Sequence, residues 1–347
     1  MNRSLTLAAL GTLMAIVSLA AIPDPVKTDS GSVTGTSNTD ASVHMFKGIP
    51  FAAPPVGDLR WKIAQPPAKW DGVKMATEFS PTCANGAGGG RGGRGRGGAP
   101  GGAPRGGAPA GPAPSEDCLY INVWTPAKSA ADKLPVMIWT YGGGFTGGSG
   151  SDIWYDGEAL AKKGVVVVTY NYRLGTFGFF AHPDLVAESP HHTTGNYAMT
   201  DMLAALHWVQ QNIAAFGGDP RKVTIDGESA GAIAVAAMVG SPEAKGLFIR
   251  AAAQSGAWMG LSIAKQKTMA EAEAQGMTAA GTHSIAELRA MSTADVSQNL
   301  RGVSAGMIVD GWIIPEDQSI TYAKGKQNDV DILVGSNRDE GTFFVRG

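Results

Sequence analysis

Gly227-Glu228-Ser229-Ala230-Gly231 sets one hydroxyl between two glycines in a G-x-S-x-G spacing. Val223-Thr224-Ile225-Asp226 before it reads as a short buried strand, and Ala230 to Val239 after it is small and apolar, suited to a packed helix. Strand, tight turn and helix together lift such a serine clear of a sheet and set it at a helix N-terminus, poised for nucleophilic attack on an acyl carbon. Acyl transfer builds negative charge on the carbonyl oxygen, which calls for N–H donors in a loop without side chains. Tyr141-Gly142-Gly143-Gly144-Phe145, directly after the apolar run Leu134 to Trp139, offers that loop. Gly143 and Gly144, with Ala230 after the serine, are the expected donors. The spacing of Gly142, Gly144 and Gly147 also matches a dinucleotide G-x-G-x-x-G. The following stretch, Gly148 to Asp152, reads as loop rather than helix, and the next strand ends at Asn171 instead of a ribose-binding acid, so the nucleotide reading is set aside.

The elements that must hold these residues alternate in the α/β manner. Leu119 to Trp124, Leu134 to Trp139, Val165 to Tyr170, Phe248 to Gln254 and Asp331 to Gly335 read as strands. The run Val165 to Tyr170 is continuously apolar, as a strand covered on both faces should be. Tyr197 to Phe216 reads as a long helix with Met199, Met202, Leu203, Leu206, Val209 and Ile213 on one stripe, and His207 is expected to share that stripe as a core residue. Gly217-Gly218-Asp219-Pro220 ends the helix and turns the chain into the strand before Ser229. Ser284-Ile285-Ala286-Glu287 spells a capping box. The pattern implies an α/β fold with a mainly parallel central sheet and helices on both faces.

Length, charge and cysteines narrow the class further. The chain has 347 residues and a net charge of −2, enough for one large domain and no electrostatic case for nucleic acid. Arg3 followed by the apolar run Leu5 to Leu19 and the small residues Ser18-Leu19-Ala20 reads as a signal peptide over 1–21, with an uncleaved anchor as the alternative. Export to the periplasm or outside the cell is therefore expected, with the domain spanning 22–347. The two cysteines, Cys83 and Cys118, read as a disulfide or as two free thiols, and a metal site is not expected from two. Between them, 85–114 is almost entirely Gly, Ala, Pro and Arg. That composition cannot bury enough surface to offset its ordering entropy, so a disordered, solvated insert is expected. Arg91, Arg94, Arg96 and Arg105 give the insert an RGG-like look, but it lacks the aromatics on which bases stack.

Other motifs carry a resemblance. Gly48-Ile49-Pro50-Phe51-Ala52, Pro54-Pro55-Val56-Gly57 with Arg60, Glu116-Asp117-Cys118-Leu119-Tyr120, and Asn171-Tyr172-Arg173-Leu174-Gly175 come in order. Gly195-Asn196-Tyr197-Ala198, Phe216 to Pro220, the Ser229 motif, Gln254-Ser255-Gly256 and Ser336-Asn337-Arg338-Asp339-Glu340-Gly341 follow. With these the chain resembles the type-B carboxylesterases, the cholinesterase-like branch of the α/β-hydrolases, from about Val26 to Gly347. The resemblance implies an ester hydrolase without a cofactor, acting on small-molecule esters through a Ser-Glu-His triad. Ser229 matches its nucleophile, Glu340 its triad acid, the triple glycine its oxyanion hole, and Cys83–Cys118 its disulfide. Glu228 matches a carboxylate that the family also places beside the nucleophile. Choline-selective relatives carry a cation-binding Trp between the two cysteines, and no Trp occurs there, so a general carboxylic ester is expected.

One departure stands out. The triad order on this fold is serine, acid, histidine, yet all six histidines (His44, His182, His191, His192, His207 and His283) precede Glu340. A partial sequence lacking the last strands and helix is expected, with the catalytic histidine outside it. The alternative is a non-catalytic binding protein on the same fold. The insert gives a separate expectation. Deleting Gly86 to Pro112 should shift the melting temperature by no more than a few degrees, measured by calorimetry, because that stretch buries almost nothing.

Overall fold

The computed structural model describes Ile22 and residues 24–85, 113–256 and 266–343. The expected signal segment and residues 86–112 of the insert lie outside the described residues. Eight strands form the central sheet: β1 (Thr36–Ser37), β2 (His44–Pro50), β3 (Tyr120–Thr125), β4 (Leu134–Thr140), β5 (Val166–Tyr170), β6 (Gly218–Glu228), β7 (Arg250–Gln254) and β8 (Asp331–Gly335). Their spatial order is β8-β7-β6-β4-β5-β3-β2-β1. The first five in that order run parallel, and β3, β2 and β1 continue antiparallel. All five residues of β5 are buried, which explains why its sequence is apolar throughout.

Helix α1 (Tyr197–Asn212) continues as a short 3-10 turn, Ile213–Phe216, and stops at Gly217, whose φ of 79° suits glycine. Met199, Met202, Leu203, Leu206, Val209 and Ile213 are all buried, but His207 is exposed, against its expected place in the core. At about 100° per residue it lies roughly a quarter-turn from the centre of the stripe, far enough to reach solvent. Helix α2 (Ala230–Gly240) packs on β6 and β7, and its small side chains allow close approach to the sheet. Helix α3 (Met269–Ala280) opens with a capping box between Thr268 and Glu271, and Ser284 with Glu287 forms the expected one.

Cys83 and Cys118 form a disulfide with Cα atoms 5.0 Å apart. Ala84 N donates to Ser115 O (2.8 Å) and Ser115 N to Thr82 O (2.9 Å), so the two strands of the insert's neck are tied beside that bridge. Asn85 belongs to this packed neck, since its amide donates to Thr146 O at 3.0 Å. Next to it, the Arg60 guanidinium makes a two-pronged pair with the Glu116 carboxylate, both contacts 2.7 Å.

A second buried pair joins the sheet to α1. Arg173 Nη2 lies 2.7 Å from Asp201 Oδ1 with both side chains enclosed, and its remaining N–H groups reach Lys62 O and Tyr197 O. Asp201→Ala would leave the guanidinium buried without its counter-charge, a loss of about 3–5 kcal/mol. Denaturant unfolding should show that drop in the midpoint with an unchanged slope.

Candidate active site

Parallel strands deliver the expected residues to one sheet edge. Thr140 of β4 pairs with Gly227, and Gln254 of β7 pairs with both Glu228 and Gly335. The segments leaving those ends are the triple glycine, Ser229, Ser255-Gly256 and Ser336 to Glu340. In open α/β sheets this edge, outside the carboxyl ends of the strands, is where ligands bind.

Ser229 has φ 53° and ψ −122° and stands directly before α2. A non-glycine residue in that conformation is strained, and the turn survives because its neighbours leave no other path. A methyl group on Gly231 would collide with the Thr140 carbonyl, and one on Gly256 with the Ser229 carbonyl. On Gly227 it would come within 2.6 Å of Gly231 backbone. Ser229 N donates to Gln254 O (2.9 Å) and Ser229 O accepts from Ile233 N (3.0 Å), pinning the turn from both sides.

The triple glycine packs against this turn. A methyl group on Gly142 would lie 2.8 Å from Glu228 Oε2 and 3.0 Å from Ser229 Cβ. Gly143 and Gly144 take positive φ, 102° and 63°. Among the described residues, no acceptor is bonded to the N–H of Gly143, Gly144 or Ala230; Gly144 and Ala230 line the cavity over Ser229, and Gly143 does not. The Asn171 to Gly175 motif fixes the loop. Asn171 Oδ1 accepts from Gly150 N (2.9 Å), and Tyr172 stacks on Tyr141 with ring centroids 4.3 Å apart while its hydroxyl donates to Tyr141 O (2.8 Å). Gly175 N donates to Phe145 O at 2.7 Å.

Ser229, Gly144 and Ala230 line a cavity of about 400 Å³. Phe145, Phe179, Ile233, Met307 and Ile308 supply its apolar wall; of these the sequence motifs contain only Phe145 by name, at the end of the triple-glycine loop. Asn196, from a matched motif, holds that wall: its amide donates to Ile308 O and Asp310 Oδ2 and accepts from Ile308 N, at 2.9, 2.9 and 3.0 Å.

Glu340 opens a 3-10 turn, Glu340–Phe343, and lies close enough to Glu228 for its charge to act there. Burial first, and the Glu340 charge second, push the Glu228 carboxyl above its ordinary value. None of the six histidines lines the cavity. His44 contacts Ser37 Oγ (3.1 Å), His182 caps a helix, and His191 stacks on Trp312 with centroids 3.6 Å apart. Among the described residues no group of three or more His, Cys, Asp or Glu could hold a metal ion.

The Glu228 shift has a defined sign. A carboxyl raised in the folded state stabilises the fold while protonated, and that contribution is lost as pH rises through the folded value. Glu228→Gln should therefore melt higher than the parent at pH 8, with the difference shrinking toward pH 4.

Known proteins share this chain's sequence and fold. The carboxylesterase family model matches residues 23–347. The chain is 42% identical over 332 residues to fumonisin B1 esterase of Sphingopyxis macrogoltabida, covering 92% of this chain and 56% of that protein. It is 37% identical over 338 residues to para-nitrobenzyl esterase of Bacillus subtilis (strain 168), covering 92% of this chain and 63% of that one. The Geobacillus stearothermophilus carboxylesterase Est55 at pH 6.2 superposes with a TM-score of 0.77 at 37% identity, covering 92% of this chain and 62% of that structure. The chain thus spans under two thirds of the length of these relatives. A strained serine at a helix N-terminus, free amides beside it and these matches give one conclusion: the chain belongs to the carboxylesterase family.

Proposed function

We propose that the protein hydrolyses carboxylic esters of small molecules through an acyl-enzyme on Ser229. The observation that carries this is Ser229 itself, held at φ 53° at the start of α2 and opening on a cavity shared with Gly144 and Ala230. Ser229 Oγ attacks the ester carbonyl, and the N–H groups of Gly143, Gly144 and Ala230 hold the oxyanion. The alcohol leaves with a proton, and water then cleaves the acyl-serine bond to release the acid and restore the hydroxyl.

Glu340 is the triad acid in this scheme, and Glu228 is a neighbouring carboxylate beneath the serine. The base is a histidine outside these 347 residues. Two observations support that: no histidine of this chain lines the cavity, and the matched region makes up only 56% and 63% of two relatives. The Cys83–Cys118 bridge supports an exported protein, since disulfides persist in oxidising compartments. Among the described residues no helix is long and apolar enough to cross a membrane. The intact serine and its free donors favour hydrolysis over simple binding.

In the protein as its source makes it, Ser229→Ala should lower turnover of p-nitrophenyl butyrate by about a million-fold and abolish covalent labelling by an organophosphonate. Stoichiometric labelling that persists in the variant would place the nucleophile elsewhere.

A further inference from the structure

The cavity over Ser229 is lopsided in charge. Among the described residues its lining includes one ammonium, Lys267, and no carboxylate. Lys267 pairs with Ile308 in a short parallel bridge just before α3, so the main chain fixes it to the same wall as Met307 and Ile308. Its Nζ donates to Gln275 Oε1 and to Ser304 Oγ, each at 2.9 Å. Both acceptors are neutral, and no salt bridge engages Lys267 among the described residues, which include every Asp and Glu of the sequence.

The residue beside it adds a second donor without a partner. Gln266 also lines the cavity and is 5% exposed. Its Oε1 accepts from Gln318 N at 3.0 Å, which sets the sense of the amide. Nε2 at the other end is buried and bonded to no acceptor. An ammonium without a counter-charge on an otherwise neutral wall calls for a negatively charged ligand, and a carboxylate meets that need.

We propose that this wall selects esters carrying a free carboxylate besides the scissile ester, with Lys267 as the residue that holds it. The inference rests on ester hydrolysis at Ser229 and adds the substrate class. Lys267 is exposed, so its contribution is moderate and screened by salt.

The test compares parent, Lys267→Gln and Lys267→Arg on two substrate pairs. One pair places the charge on the acyl side: mono-p-nitrophenyl glutarate beside p-nitrophenyl 4-carbamoylbutyrate. The other places it on the alcohol side: 4-carboxyphenyl butyrate beside 4-carbamoylphenyl butyrate. In at least one pair the parent should favour the carboxylate, and Lys267→Gln should lower the carboxylate-to-carboxamide ratio of kcat/KM about fivefold, mainly through KM. Lys267→Arg should restore most of the ratio. A parent preference for the carboxamide in both pairs, or a ratio unmoved by Lys267→Gln, would overturn the proposal. If no ester is turned over, the hydrolytic reading itself has failed, and binding decides the wall separately. By calorimetry, glutaric monoanilide beside its carboxamide, and 4-(butyrylamino)benzoate beside 4-(butyrylamino)benzamide, give the same two comparisons: in at least one pair the carboxylate should bind more tightly and lose that advantage in Lys267→Gln. Equal affinity of the parent in both pairs would sink the inference.

Discussion

A single backbone conformation governs this molecule. Ser229 must hold φ 53° for its hydroxyl to leave the sheet at the N-terminus of α2. That conformation costs on the order of 1–3 kcal/mol, so the surroundings must enforce it. They do so by contact: Gly142, Gly227, Gly231 and Gly256 each sit where one methyl group would strike backbone or the serine itself. Close packing at these points is the condition for everything else, because an elbow free to relax would carry the serine away from the donors of Gly143 and Gly144.

The buried polar side chains serve that same edge from further out. Asn171, Tyr172 and Arg173 are consecutive, yet each ties down a different element: the loop at Gly150, the strand end at Tyr141 and helix α1. Asn196 does the same for the cavity wall at Ile308 and Asp310. Each of these groups is buried and satisfied, so shifting one element would leave several polar groups without partners. Rigidity at Ser229 thus comes from hydrogen bonds made well away from it.

Much of this was legible in the chain. The turn at Ser229, the triple glycine and the strands leading to them are local in sequence, and local spacing carried them. The capping box at Ser284 was legible for the same reason, and Thr268-Met269-Ala270-Glu271 spells the same signal. His207 misled because a four-residue spacing from Leu203 looked like a shared face, whereas its true angle opens to solvent. The cavity wall as a whole was not legible, although Phe145 and Asn196 stand in recognisable motifs. It is assembled from Phe145, Phe179, Lys267 and the stretch 303–308, of which Ile308 is tied to Asn196 across more than a hundred residues. No periodicity encodes such a meeting. Glu340 needed the family resemblance, since a carboxylate in a polar loop has no distinguishing pattern of its own.

The strain at Ser229 also bears on how such a chain would age under relaxed selection. Among the described residues, the Ser229 side chain makes no hydrogen bond, so the fold gains little from its hydroxyl and bears the cost of its β-carbon. A glycine there would take the same φ freely and stabilise the protein. The glycines around it have no such exit, because each would have to grow into backbone. Drift would therefore erase the serine early and the glycines late. A lineage released from any demand on that hydroxyl would keep the elbow and lose its serine first.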